Sequence, residues 1–171
     1  MATPITFDEV VEKYTDYVYN IIYRMLGNSH DSEEATQEAF ISAYRNWDRF
    51  RGNAQVTTWL YRIAVNAALM RIRKEKRGKE LTQTGYEDRD IPDWAEGPER
   101  AALSSELWDA VQEGLKLILA DLRAAVVLRD IQELSNTEAA EALDTTVTAL
   151  KARLHRGRVL LRKYLEQYIH S

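Results

Sequence analysis

Thr58, Trp59, Arg62, Asn66 and Arg73 recur at spacings that gather them into one stripe on a helix turning about 100° per residue. Arg can grip a phosphate, Asn can hydrogen-bond a base edge, and Trp can stack on an unpaired base. The stripe runs into RIRKEKR (71–77), and residues 71–79 hold six basic groups, among them Arg71 and Lys74, against one acid. That chemistry suits a polyanion. The plainer alternative, a core helix with a solvated basic end, fits the same periodicity because charged helix ends are common.

A second set lies near the C-terminus. Residues 145–163 hold six basic groups and no acid. Thr148, Ala149, Ala152, Arg153 and Arg156 share the outer face of a helix, flanked by Lys151 and His155. Small residues let such a face approach base edges, and the cations around them can hold phosphates, as a recognition helix in a major groove must. A basic amphipathic helix used for packing or for RNA is the alternative here.

The elements that must position these residues read as helices throughout. Thr6 and Glu9 form a capping box that opens a helix running to about Leu26, and Gly27-Asn28 closes it. A second helix opens at Asp31 and runs to about Trp47, with Ala35, Ala39, Phe40, Ala43 and Tyr44 as its inner stripe. Its outer acids, Glu33, Glu34 and Glu38, read as a solvated face; a carboxylate metal site would want a Glu-x-x-His pair, which is missing. A loop at 50–55 leads into the long helix 57–77. Val56, Leu60, Ile63, Ala67 and Met70 form one apolar face of that helix, and Tyr61, Val65, Leu69 and Ile72 another. Two apolar faces predict burial between neighbours.

Residues 78–98 show no period, carry six acidic and two basic groups, and contain Gly85, Pro92, Gly97 and Pro98. They read as a flexible acidic linker. A helix from 97 to about Leu119 follows, then a segment 121–130 with Leu122, Ala125, Val126 and Ile131 as core. Ser135 and Glu138 form another capping box before a short helix to Leu143. Asp144-Thr145-Thr146 makes a turn and supplies an N-cap for the helix Val147 to about Tyr168, with Val147, Leu150, Leu154, Leu161 and Leu165 inward. Two helices around so short a turn are a helix-turn-helix signal.

Composition narrows the field. The chain has 171 residues, enough for one ordinary domain or two small ones, and 45% hydrophobic content lets it bury a core. With no Cys, disulfides, thiolate metal sites and Cys nucleophiles are excluded, and three scattered His make no metal site. No apolar run approaches a membrane span, and the first residues do not read as a signal peptide, so a soluble, cytoplasmic protein without cofactor is expected. The net charge of −4 argues against a bulk nucleic-acid coat; two basic patches separated by acid point to two separate DNA contacts.

These residues also carry a resemblance. RGNAQVTTWLYRIAVNAALMRIRKEKR is similar to the promoter-melting segment of the extracytoplasmic-function (ECF) sigma factors, a group of bacterial sigma factors. Phe50, Arg51, Gly52, Thr58, Trp59, Leu60, Tyr61, Arg62, Ile63, Ala64, Asn66 and Arg73 match, while Met70 stands where the family usually has Asp. DSEEATQEAFISAYRNWDRFR resembles the family's polymerase-docking helix through Asp31, Glu34, Gln37, Glu38 and Phe40. The stretch 122–165 resembles its minus-thirty-five-binding domain, matching at Arg123, Leu128, Arg129, Leu134, Ser135, Glu138, Ala140, Leu143, Lys151, Arg153, Leu154, Arg156 and Arg158. Leu119 replaces a family Pro, Glu133 and Asp144 replace Gly, and TALKA (148–152) stands for Gly-Thr-Val-Lys-Ser, with the loss of two hydroxyls that could hold phosphates.

The resemblance implies an all-α protein of two small helical domains, 1–77 and 99–171, joined by the linker 78–98. It implies a sigma factor that binds core RNA polymerase, directs it to promoters and helps melt the minus-ten region, making and breaking no bond itself. Asp31, Glu34, Gln37, Glu38 and Phe40 would dock on the polymerase. Gly52, Asn53, Thr58, Trp59, Arg62, Asn66, Arg71, Arg73 and Lys74 would meet minus-ten DNA. Thr146, Thr148, Ala149, Lys151, Ala152, Arg153, His155 and Arg156 would meet minus-thirty-five DNA. The partners implied are the clamp and flap regions of core polymerase, duplex and melted promoter DNA, and an anti-sigma protein. The rival readings are a helix-turn-helix regulator without sigma activity and, from a different class, a carboxylate-metal enzyme using Glu33, Glu34 and Glu38.

Overall fold

A computed structural model describes residues 5–50, 56–76 and 105–170. The linker 78–98 and the loop residues Gly52 and Asn53 lie outside the described residues. Among the described residues the secondary structure is entirely helical. α1 spans Phe7–Leu26, and its N-terminus carries the expected capping box: Thr6 accepts from the Glu9 amide and Glu9 accepts from the Thr6 amide. Gly27 ends it with φ of +72°. A side chain there would be strained by the backbone, and its Cβ would also push aside the flexible end of the Lys116 side chain.

α2 spans Ser29–Arg45, α3 is the single turn Trp47–Phe50, and α4 spans Val56–Lys76. These helices pack around Val10, Val18, Ile21, Ile22 and Met25 of α1, Ala35, Ala39 and Ala43 of α2, and Leu60, Ala64, Val65, Ala68 and Leu69 of α4. The alanines let the helices approach closely. Ser32 and Thr36, also buried on α2, donate their hydroxyls to the carbonyls of Asn28 and Ser32 at 2.6 Å each, which satisfies them inside the bundle.

The second half holds α5 (Ser105–Leu117), α6 (Ala120–Val126), a π-helical turn (Val127–Ile131), α7 (Asn136–Ala142) and α8 (Val147–His170). Ser135 and Glu138 form the capping box of α7, and Thr146 accepts from the Ala149 amide at 3.1 Å to cap α8. Leu115, Leu128, Leu150 and Leu161 are wholly or nearly wholly buried in its core. Arg158 of α8 forms a two-point ion pair with Asp130, at 2.9 and 2.6 Å, which fastens α8 to the π-helical turn.

Several sequence expectations change. α2 starts at Ser29, capped by Asn28, and stops at Arg45 rather than near Trp47. Tyr44, expected on its inner stripe, is 68% exposed and sits edge-on against Phe7. Met70 is 67% exposed. The buried face of α4 centres on Leu60, Ala64 and Ala68, and Met70 falls beyond its edge, beside Asn66. The expected helix 97–119 is described from Ser105 and stops at Leu117; the segment 121–130 divides into α6 and the π-helical turn.

The two halves meet. One apolar cluster runs continuously from Val10 in α1 to Leu161 in α8, and α4 packs on α7 while α1 packs on α5 and α6. Polar contacts reinforce the seam. Gln112 of α5 donates to the Tyr23 and Arg24 carbonyls at 3.3 and 3.1 Å and accepts from the Arg24 guanidinium at 3.3 Å. Arg24 also lies 4.6 Å over the Trp108 ring, and its burial there lowers its pKa.

Candidate functional site

Three groups of residues were expected to act, and the structure places each on a separate element. The first is the acidic side of α2. Asp31, Glu34 and Glu38 lie at successive turns on one flank, with Gln37 exposed beside them and Phe40 half-buried. Arg71 reaches them from α4: it contacts Glu34, donates to Glu38 at 3.2 Å, and approaches Asp31 at 3.5 Å. Its hydrogen bond holds the Glu34 carboxyl below its ordinary pKa, and nearby His30 adds to the effect. Glu34 and Glu38 raise that of Arg71 in turn. Among the described residues no group of three or more His, Asp or Glu is arranged to hold a metal ion.

The second group is the stripe on α4. Arg62, Asn66, Arg73 and Lys74 are exposed and Thr58 is half-buried. Trp59 is half-buried: Phe50 backs its indole with ring centres 4.4 Å apart and planes within 9°, and Trp47 lies 5.9 Å away. Arg62 turns toward the second half, where its Nε and a terminal nitrogen donate to the Glu141 carbonyl at 3.2 and 2.6 Å. That carbonyl, which also accepts from the Asp144 amide at 3.1 Å, is at the C-terminal end of α7, where a cation is favoured. The half-buried Tyr61 of the same helix has its phenol pKa raised by burial first, then by Tyr17 and by Glu138 of α7.

The third group is the outer face of α8. Thr148, Lys151, Ala152, His155 and Arg156 are exposed, Ala149 and Arg153 are half-buried, and Thr146 stands at the N-cap. Leu150 and Leu154 bury the opposite side. The turn before α8 carries a left-handed Asp144, φ +52°, and the turn before α7 a left-handed Glu133, φ +60°. Both are positions where the sequence departs from the family's Gly, and the backbone shows why Gly suits them.

The structure thus gathers the α8 residues on one open face and splits the α4 residues. Arg71 sits with the α2 carboxylates instead of with Asn66 and Arg73, and Arg62 sits on α7. It also singles out Arg123, which sequence reasoning marked only as a match. Arg123 is 8% exposed, and burial pushes its pKa down to about 10. Its guanidinium bonds the Met25 carbonyl that ends α1, together with the Lys116 and Ile118 carbonyls at 3.1 and 3.0 Å. A lone cation inside the apolar run LRAAVVL was the available signal; its partners are backbone carbonyls, which no residue type advertises.

Comparisons with known proteins converge. The family described as Sigma-70 region 2 matches residues 10–78, and that described as Sigma-70, region 4 matches residues 109–161. The chain is 42% identical over 165 residues to the ECF RNA polymerase sigma factor SigW of Bacillus subtilis, across 93% of this chain and 88% of that one. It is 33% identical over 171 residues to the RNA polymerase sigma-H factor of Pseudomonas aeruginosa, across 96% and 89%. Among solved structures, the sigma factor RpoE in complex with the anti-sigma factor NepR from Bartonella quintana superposes with a TM-score of 0.71 at 20% identity, covering 94% of this chain and 96% of that one. That likeness shows a shared fold.

Proposed function

We propose a division of labour along this chain, which belongs to the ECF subfamily of bacterial sigma-70 factors. The family function is to bind core RNA polymerase and direct promoter recognition and transcription initiation. In our reading residues 1–77 dock on the polymerase and engage the minus-ten element, 78–98 link, and 99–171 engage the minus-thirty-five element. Asp31, Glu34, Gln37, Glu38 and Phe40 form the docking flank. Thr58, Trp59, Arg62, Asn66, Arg73 and Lys74 of α4, with Gly52 and Asn53 before it, receive the melted strand. Thr146, Thr148, Ala149, Lys151, Ala152, Arg153, His155 and Arg156 enter the major groove upstream. The chain performs no covalent step in this reading, works in the cytoplasm, and takes an anti-sigma protein as a further partner, as the RpoE fold does in its complex with NepR.

The observation that carries the reading is the α8 face: small and basic side chains, capped by Thr146 and turned away from the core, in the geometry a major-groove helix requires. Transcription with sigma-free core polymerase on a library of random promoters tests it. Specific transcripts that depend on this chain, sharing two spaced elements, are the expected result. Core binding without any such transcripts under all conditions would remove the DNA-reading roles, and no core binding would favour a plain helix-turn-helix regulator.

A further inference from the structure

We infer that Arg71 is a positioning residue for polymerase docking and not a promoter contact: from α4 it holds Asp31, Glu34 and Glu38 of α2 in one preset row. The inference rests on the reading that this acidic flank meets core polymerase.

Depth decides which partner can reach Arg71. Its side chain is 16% exposed, against 47% for Glu34 and 61% for Glu38. The cation lies beneath and the carboxylates lie outside it. A DNA phosphate approaching this flank would meet negative charge before it met Arg71, whereas a basic protein surface would meet the oxygens it needs. Arg71 offers its terminal nitrogens in a fixed planar fork, one toward Glu38 and the other toward Glu34 and Asp31. Three like charges on adjacent helix turns would otherwise repel one another and spread over many rotamers. Bridged from below, they are set in one arrangement while their outer faces remain open.

The charged groups around Glu34 are Arg71 first, then His30 at 3.2 Å, with Lys74 acting at longer range. Their common effect is a carboxyl that ionises at lower pH than a free one. The bridge is therefore intact above the ordinary carboxylate range and is released only as pH falls through the folded Glu34 value.

The test uses the full chain, sigma-free core polymerase and a promoter fragment that the wild-type holoenzyme opens, with Arg71→Gln and Arg71→Lys. Core affinity is measured without DNA. Promoter capture is measured at saturating core over a range of salt, and the Glu34 carboxyl is titrated by NMR. Arg71→Gln should weaken core binding about tenfold, the equivalent of losing one charge-assisted contact. It should also return the Glu34 titration toward the ordinary range and leave promoter capture at saturating core unchanged. Arg71→Lys keeps the charge but cannot bridge the row, so it should recover core affinity only in part with promoter capture intact; it also decides the matter if the Gln variant does not fold. Wild-type core affinity in both variants overturns the inference. So does weaker promoter capture with a salt slope reduced by about one, the mark of a lost phosphate contact. A wild-type chain that binds no core at all overturns the sigma reading itself, which is a separate outcome.

Discussion

The cations of α4 and those of α8 come out differently in the structure. On α4, Arg62 is bound to the end of α7 and Arg71 lies under three carboxylates of α2. On α8, Arg158 is paired inward with Asp130, while Lys151, Ala152, His155 and Arg156 stand on an exposed face. The difference follows from what surrounds each helix. α4 is packed by α1, α2 and α7, so a long cation on its margin meets a neighbouring carbonyl or carboxylate. α8 is packed along one side and its other side is open. A charge count thus measures how many cations exist, and packing decides which of them a ligand can use. In the proposed reading, the upstream reader on α8 stays exposed while the two halves are packed together, and part of the minus-ten stripe is engaged with the other half.

Arg123 is the extreme case of an inwardly committed cation, and its loss should have the largest effect. Arg123→Met leaves the Met25, Lys116 and Ile118 carbonyls without their donor at the seam. Unmet buried acceptors of this kind cost about 3 kcal/mol in total, which for a chain of this size lowers the melting temperature by roughly 6–12 °C. An unchanged melting temperature would mean that the cost of burying the charge already cancels its bonds. The apolar cluster alone would then hold the halves together.

Next comes the exposed patch. Lys151→Glu with Arg153→Glu should lower holoenzyme binding to minus-thirty-five duplex about a hundredfold, through lost phosphate contacts and new repulsion. Core affinity and stability should not change, because neither side chain supports the core. If duplex binding survives, the α8 face is not the upstream reader and the contrast between the patches collapses.

Arg62→Ala sharpens the same contrast at smaller scale. In the free chain it removes the bonds to the Glu141 carbonyl at the surface, worth about 1 kcal/mol. Labels on α2 and α8 should report a wider separation by energy transfer, and in the holoenzyme open-complex formation should fall. No change in the free chain would show that the contact of α4 with α7 does not depend on this residue.

What the sequence made legible was local. The capping boxes at Thr6 and Ser135, the Thr146 cap and the open face of α8 are each settled within a few residues, where side-chain type and backbone geometry constrain one another. What it hid was distant. Arg71 finds Glu34 across 37 positions and Arg62 finds Glu141 across 79, and nothing in either neighbourhood encodes the match. Met70 and Tyr44 failed for a third reason: apolar character permits burial without requiring it, and each lies just past the edge of its helix's packed face.

The finest test concerns the turn that presents α8. Asp144 holds φ of +52°, a conformation that Asp tolerates better than most residues but that Gly adopts without penalty. Asp144→Gly should therefore stabilise the chain by about 0.5 kcal/mol, the relief of left-handed strain less the greater freedom of Gly in the unfolded state. A denaturation midpoint measures this, and Asp144→Val should shift it the other way. Because Thr146 already caps α8 and Leu150 and Leu154 fix its inner side, the outer face is set without help from residue 144. Duplex affinity should accordingly be the same for Asp144 and Asp144→Gly. A change in affinity at unchanged or improved stability would show that the turn carboxylate itself tunes the approach of α8 to the phosphates, and the exposed patch would then have to include an acid as well as its bases.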